Sequence, residues 1–316
     1  MDDASALAAS TFGLTINGAV SLCPYGPVWR VPYEGGEVVL KRTGFPRSSA
    51  PAIAVWTGAL SARGVDVVAP DRSFAPNPRK IGEDWPGEWV VYPFIAGHAY
   101  TGRTSEVEAA GRLLGRLHAV GADLGRGMVE EPSLPLRSDD WLLNHVARAT
   151  DAVAAHAPEL TPEWSVIADR LPVAHTQARA RLSGLLLPIV PCSWDYKASN
   201  LVYLAADRPV LVDPDHGARI PRLYDLACSV VLFHVDHAAS PTRLFDFSEW
   251  RSFVTAYRSI VDLTQTELGA WPDVLLVAWA DQGVWLLGNW PEAWDSPPDR
   301  AFLIDLVRSD LARFTL

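Results

Sequence analysis

Between residues 185 and 215 the chain carries three short apolar runs, in "LLLPIVPCSWD", "NLVYLA" and "PVLVDPD", each with its polar residues gathered at the ends. Apolar runs of that length read as strands buried on both faces. Their tips collect Asp195, Asn200, Asp213 and Asp215 at one rim, the place where a rigid scaffold presents functional side chains. An Asp, an Asn five positions on and an Asp thirteen beyond that supply one carboxylate to accept a proton and two oxygen ligands. That set suits a hard divalent cation such as Mg²⁺, and such a cation points to a nucleotide. Lys197 stands two residues after Asp195, so on an extended loop both side chains lie to one side, where an ammonium can neutralise a phosphoryl group in transit.

The flanking sequence sets this β interruption in a larger frame. Residues 20 to 41 read as β runs, "VSLCP", "GPVWRVPY" and "VVLKR", with Glu34-Gly35-Gly36-Glu37 as a hairpin turn, so an antiparallel sheet is expected to open the chain. "PAIAVWTGALSARG" has helical spacing with a stop at Gly64. "VDVVAPDRSF" and "GEWVVYPFIAG" return to strand character. From Ser105 the pattern is helical: "SEVEAAGRLLGRLHAVG", 139 to 157 and 162 to 184 place apolar residues at i, i+3 and i+4, and helices resume from Leu223. The expectation is a β-rich region over residues 1–96 and a mainly helical region over 97–316.

Composition narrows the partners. The 316 residues carry a formal charge of -10, which argues against nucleic acid and anionic membranes as partners, since both need a basic surface. Cys23, Cys192 and Cys228 are odd in number and without metal-site spacing, so neither a disulfide framework nor a zinc site is expected and a reducing cytoplasm fits. The acidic start "MDDASALAAS" is unlike a secretion signal, and the apolar run "VLLVAWADQGVWLLGNW" is interrupted by Asp281 and Gln282. Lys41, Lys80 and Lys197 are the only lysines, and Lys197 falls in the proposed site. A compact ammonium suits a phosphate point contact better than a wide guanidinium.

"WDYKASN" followed by "VLVDPD" resembles the catalytic and metal loops of the protein-kinase-like fold, most of all in the aminoglycoside phosphotransferase family. The resemblance spans roughly residues 20 to 235. It implies a bilobal α/β fold, ATP and Mg²⁺ as cofactors, Asp195 as catalytic base with Lys197 beside it, and Asn200 and Asp213 as metal ligands. It also implies Lys41 as the strand lysine for the nucleotide phosphates, and Tyr92, Pro93, Phe94 and Ile95 as the hinge whose backbone takes the adenine. Asp225 in "RLYDLACSVVLF" matches an aspartate that braces the catalytic loop. The chain departs from the family pattern in four places. Ser193-Trp194-Asp195 stands for His-Gly-Asp, with the serine hydroxyl in place of the histidine brace. No acidic residue lies between Lys41 and Asp66 to pair with the lysine. The segment "SLCPYGPVWRV" holds one glycine where a phosphate-covering loop is Gly-rich. Asp-x-Lys-x-x-Asn is nearer to the protein kinase version of the loop.

Plainer readings stand beside these. Asp215 either contacts a metal or caps a turn. His118 reads as a packed core histidine, and His234, Asp236 and His237 as a solvated helix end. The expected activity is transfer of the γ-phosphoryl group of a nucleoside triphosphate to an alcohol. Its acceptor is a small molecule, with a cationic one favoured by Asp236, Asp246, Glu249, Asp262 and Glu267. The competing readings are a kinase of a peptide hydroxyl and a nucleotide-binding pseudokinase.

Overall fold

The computed structural model describes residues 2–23, 26–43, 47–82, 87–134, 137–235 and 241–316. A helix, α1 (Asp3–Thr11), precedes the first strand, which corrects the expectation that a sheet opens the chain. Its Asp2 cap accepts the Ser5 N–H at 2.8 Å, and its apolar contribution is mostly alanine, too weak a stripe to be read as a helix in advance.

The sheet follows as β1 (Val20–Ser21), β2 (Val28–Tyr33), β3 (Gly36–Arg42) and β4 (Trp89–Pro93), antiparallel in that order. β2 and β3 form the expected hairpin, Tyr33 opposite Gly36, with Gly36 in the left-handed region at φ 128° where only glycine is unstrained. Period-two alternation then sorts the faces. Val38, Leu40, Trp89 and Val91 pack against Ala8, Phe12 and Leu14 from the α1 segment, while Val39, Val90 and Tyr92 pack toward Val210, Val212 and Ile95. Lys41 sits opposite Val90 in the ladder and shares that second face.

α2 (Ala50–Ala62) lies between β3 and β4, capped by Ser49 and ending before Gly64, whose φ is 73°. "VDVVAPDRSF" does not form the expected strand: it gives a single bridge, Val67 to Leu211, and a short 3-10 turn at Arg72–Phe74. Pro70 and the turn-forming Asp71 break the ladder after one residue.

The helical region comprises α3 (Thr104–Ala119), α4 (Asp139–His156), α5 (Thr161–Leu182), α6 (Arg222–Leu232), α7 (Phe247–Arg258), α8 (Gln265–Ala278), α9 (Val284–Asn289), α10 (Pro291–Asp295) and α11 (Pro297–Arg308). One continuous apolar core runs through them. Trp250 and Trp271 stack within it at 5.7 Å. Between α8 and α9 the backbone widens into a π turn over Trp279–Gly283. No helix among the described residues is long and apolar enough to cross a membrane.

Inside this region lie the strands β5 (Ile189–Cys192), β6 (Leu201–Ala205), β7 (Arg208–Leu211) and β8 (Ala218–Pro221). The three expected runs are β5, β6 and β7. β8, in "ARIP", pairs antiparallel with β5 and was not foreseen, because four residues containing an arginine and a proline carry no apolar period.

Candidate active site

Three loops carry the predicted residues to one place. β5 delivers Ser193-Trp194-Asp195, a 3-10 turn at Ala198–Asn200 leads into β6, and β7 ends just before Asp213. Asn200 joins the first two: its Nδ2 donates to the Asp195 carbonyl at 2.8 Å and to Asp195 Oδ2 at 3.0 Å. It also joins the third, since its backbone carbonyl accepts from the Val212 N–H at 2.9 Å. Lys197 Nζ lies 3.2 Å from Asp195 Oδ2. The loop as a whole is fixed from behind, by the Ala198 N–H on the Phe233 carbonyl and the Tyr196 hydroxyl on the Ala110 carbonyl, both at 2.8 Å.

Lys41 reaches this site from the sheet. Its Nζ lies 2.6 Å from Asp213 Oδ1 and 2.9 Å from Asp215 Oδ2. Asp215 accepts in addition from the buried Tyr92 hydroxyl at 3.1 Å. Burial disfavours the ammonium, but the two carboxylates outweigh it and the Lys41 pKa is raised. Burial likewise works against the Asp213 carboxylate, yet the Lys41 charge prevails and brings its pKa down to about 2. For Asp215 burial wins, and its pKa is raised despite Lys41. The missing helix glutamate therefore has a substitute: Asp215, two residues beyond Asp213, is the second anion on Lys41. The only sequence indication was the repeated Asp in "VDPD".

Of the hinge residues, Tyr92 turns its side chain to Asp215, and the Phe94 N–H is taken by the Glu37 carbonyl at 3.3 Å. The outer edge of β4 is occupied in alternation: Trp89 exchanges bonds with Arg79, and Val91 accepts from Asp71 N–H and bonds Asn77. The next carbonyl on that edge belongs to Pro93, with Ile95 two residues on.

Several expected roles change. Ser193 is buried and its hydroxyl has no partner among the described residues, so it does not replace the histidine brace. Asp225 bonds the buried His118 at 3.0 Å rather than the catalytic loop, and the other nitrogen of that ring meets the Tyr257 hydroxyl. His118 is thus the packed core histidine foreseen. Cys192 lies beside them, but both ring nitrogens are engaged and burial pushes the thiol pKa up, which fits a brace and not a metal centre. His234 is buried, bonded to the Arg243 carbonyl at 2.9 Å, and is not a solvated helix end. Asp236 and His237, like Pro24 and Tyr25 of the phosphate-covering segment, lie outside the described residues.

Three of the five carboxylates expected to attract a cationic acceptor are committed elsewhere. Asp246 and Glu249 cap α7 and hold Arg243, while Glu267 caps α8 and is buried against Arg222. Asp262 is exposed, with its carbonyl taken by Arg222.

Trp194 is the one non-glycine among the described residues with positive φ, 58°. The left-handed conformation costs an L-residue roughly 1–2 kcal/mol, and the surroundings hold it. The ring is 4% exposed, with the Arg47 guanidinium 3.3 Å from its centroid on one side and the Tyr224 edge at 6.1 Å.

The fold has relatives of known structure. An amicoumacin kinase in complex with AMP-PNP, Ca²⁺ and its antibiotic superposes with TM-score 0.61 at 18% identity, over 93% of this chain and 88% of that one. Spectinomycin phosphotransferase in complex with ADP and spectinomycin gives 0.57 at 12%, over 92% of each chain. An aminoglycoside phosphotransferase from Alicyclobacillus acidocaldarius gives 0.55 at 13%, over 92% and 91%. Identities this low establish a common kinase-like fold. No curated protein sequence matches the chain. The profile of the phosphotransferase enzyme family matches residues 26–259, nearly three quarters of the length and all of the cleft just described, and the chain belongs to that family.

Proposed function

We propose that the protein transfers the γ-phosphoryl group of ATP to an alcohol on a small molecule, in the cleft between a nucleotide lobe, residues 1–96, and a helical lobe, residues 97–316. The observation that carries this reading is the gathering of Asp195, Asn200 and Asp213 on adjoining loops, with Lys41 reaching Asp213 at 2.6 Å across 172 residues of sequence. Amicoumacin kinase with AMP-PNP and Ca²⁺, and spectinomycin phosphotransferase with ADP, support a nucleotide and a divalent cation here.

The donor set fits a hard cation. Asp213 is held ionised, and Asn200, whose Nδ2 is committed to Asp195, has its Oδ1 left as an oxygen ligand. Mg²⁺ bound by these two would neutralise charge on the triphosphate and orient it. The protein's own groups do the rest. Lys41 donates to the phosphate oxygens. The Pro93 carbonyl and Ile95 N–H, on the open edge of β4, face the base. Asp195 accepts the acceptor's hydroxyl proton as the oxygen bonds to the γ-phosphorus and the bond to the ADP oxygen breaks. Lys197, within 3.2 Å of Asp195, offsets the charge on the phosphoryl group as it moves.

Asp195→Ala tests this directly, with acceptor-stimulated ATP consumption measured over a panel of alcohols and Mg-ATP binding measured separately. Removing a general base lowers turnover by about 10²–10⁴, and nucleotide affinity should stay within a few fold. An unchanged rate would reassign the base, and a wild-type protein that binds Mg-ATP but turns over no alcohol would favour the pseudokinase reading.

A further inference from the structure

Four separate segments of the chain meet next to the catalytic loop. Arg47, ahead of α2, lies over the Trp194 ring. Tyr224 of α6 sets its edge against the same ring and donates its hydroxyl to Asp281 Oδ2 at 2.9 Å. Asp281 is 3% exposed and sits in the π turn, a backbone irregularity that collects at functional sites. Arg137, ahead of α4, stacks on Trp141 at 5.0 Å and is within electrostatic reach of both Arg47 and Asp281.

The polar groups here are incomplete. Neither Arg47 nor Arg137 forms a hydrogen bond or an ion pair among the described residues, although Glu131 and Asp281 are near enough to act on Arg47 or Arg137 through space. Trp194 Nε1, Arg137 Nε and Asp281 Oδ1 are buried without partners. Two buried donors, the Trp194 indole N–H and Arg137 Nε, outnumber one unfilled carboxyl oxygen, and the charges of the two guanidinium groups repel each other. Buried polar atoms are nearly always paired, so the group that completes them is rich in acceptor oxygens and negative, the match for a planar arginine fork.

We propose that Arg47 and Arg137 clamp a carboxylate or phosphate carried by the phosphoryl acceptor, with Trp194 as its platform and Asp281 taking a neutral hydrogen-bonding group of the same molecule. The proposal rests on the phosphotransferase reading, because Trp194 adjoins Asp195 and the clamp sets the acceptor hydroxyl beside that base. It replaces the cationic acceptor expected from the sequence with an anionic one.

The test is calorimetric binding of four small alcohols to the full chain: glycerol 3-phosphate, glycerate, neutral glycerol and cationic choline. One or both anions should bind at least tenfold tighter than glycerol and choline, and the preferred anion tells phosphate from carboxylate. Arg47→Gln and Arg137→Gln should each weaken that binding at least tenfold, and Arg47→Lys, which keeps charge but loses the fork, by less. Thermal unfolding checks that the variants fold, and the wild-type ranking decides if they do not. Choline or glycerol binding as tightly as the anions, no saturable binding of either anion, or full anion affinity in the double glutamine variant overturns the proposal. A protein that binds the anions but not Mg-ATP overturns the phosphotransferase reading and leaves the clamp; ATP consumption stimulated by choline alone does the reverse.

Discussion

On the Lys41 side of the cleft each charge faces its opposite, whereas on the Trp194 side two guanidinium groups lie within each other's electrostatic reach. Lys41 lies between Asp213 and Asp215, and Tyr92 completes Asp215. Arg47 and Arg137 lie against aromatic rings and, among the described residues, have no hydrogen bond or ion pair. Both sides are substantially buried, so the contrast is not one of solvent. A buried charge costs several kcal/mol unless compensated. On the proposed reading, the nucleotide side carries its own compensation in Asp213 and Asp215, while the acceptor side takes its compensation from the ligand.

The matched pair Lys41→Met and Arg47→Met strikes at this contrast with the largest expected effect. Without the ammonium, the buried Asp215 and the half-buried Asp213 lose their shared cation, a loss of up to about 3–5 kcal/mol by analogy with other broken buried pairs. Arg47→Met gives up a cation–π contact but also relieves the repulsion from Arg137, and should change stability by less than about 1 kcal/mol. Chemical denaturation at pH 7 measures both. Equal losses would mean that Arg47 has a partner as strong as that of Lys41, and the contrast would fail.

A second difference concerns protons. Asp213 is held ionised down to about pH 2, whereas burial lifts the Asp281 pKa from 3.8 to about 7, against the Tyr224 hydrogen bond and the charges of Arg137, Arg47 and Arg179. An acid whose folded pKa exceeds its unfolded value keeps its proton in the folded state after the unfolded chain has released it. Stability therefore falls as pH rises between those two values. The wild type should lose about 2 kcal/mol from this group between pH 5 and 7, and Asp281→Asn should remove that slope. Thermal melts of both proteins across the range provide the check; parallel curves would show that Asp281 does not titrate there.

These two sides were not equally legible in the sequence. Asp195, Lys197, Asn200 and Asp213 fall within nineteen residues, at the ends of strands whose apolar runs announce themselves, so local pattern was enough to group them. Lys41 was found through the resemblance of its strand to that of the family, with its rarity as support. The acceptor side draws on residues 47, 137, 194 and 281, which no local period connects. Arginines are common in this chain, and Arg47 and Arg137 lie in loops with no pattern of their own. The π turn left no trace beyond the polar Asp281 and Gln282 inside an apolar helix. Trp194 was visible as a bulky residue at a position that is small in relatives, but its left-handed backbone and its stack with Arg47 are tertiary facts. The negative field expected from Asp246, Glu249 and Glu267 failed for a related reason: capping geometry and arginine partners, not composition, decide whether a carboxylate is free.

The finest probe of the contrast is one chemical change made on each side. Tyr92→Phe removes the hydroxyl that donates to Asp215 at 3.1 Å, and Tyr224→Phe the one that donates to Asp281 at 2.9 Å. Geometry alone would rank them equal. Charge does not, because a hydrogen bond to an ionised group contributes about 1.5–3 kcal/mol and one to a neutral group about 1 kcal/mol. At pH 6 Asp281 still carries its proton, whereas the Tyr92 hydroxyl serves a carboxyl group that lies 2.9 Å from the Lys41 ammonium, so Tyr92→Phe should be the more destabilising by about 1 kcal/mol. At pH 8 Asp281 has ionised and the gap should narrow, since its hydrogen bond then holds a charge as well. A gap that is reversed at pH 6, or that does not move with pH, would show that the Lys41 ammonium beside Asp215 and the titration of Asp281 do not set the two hydrogen bonds apart.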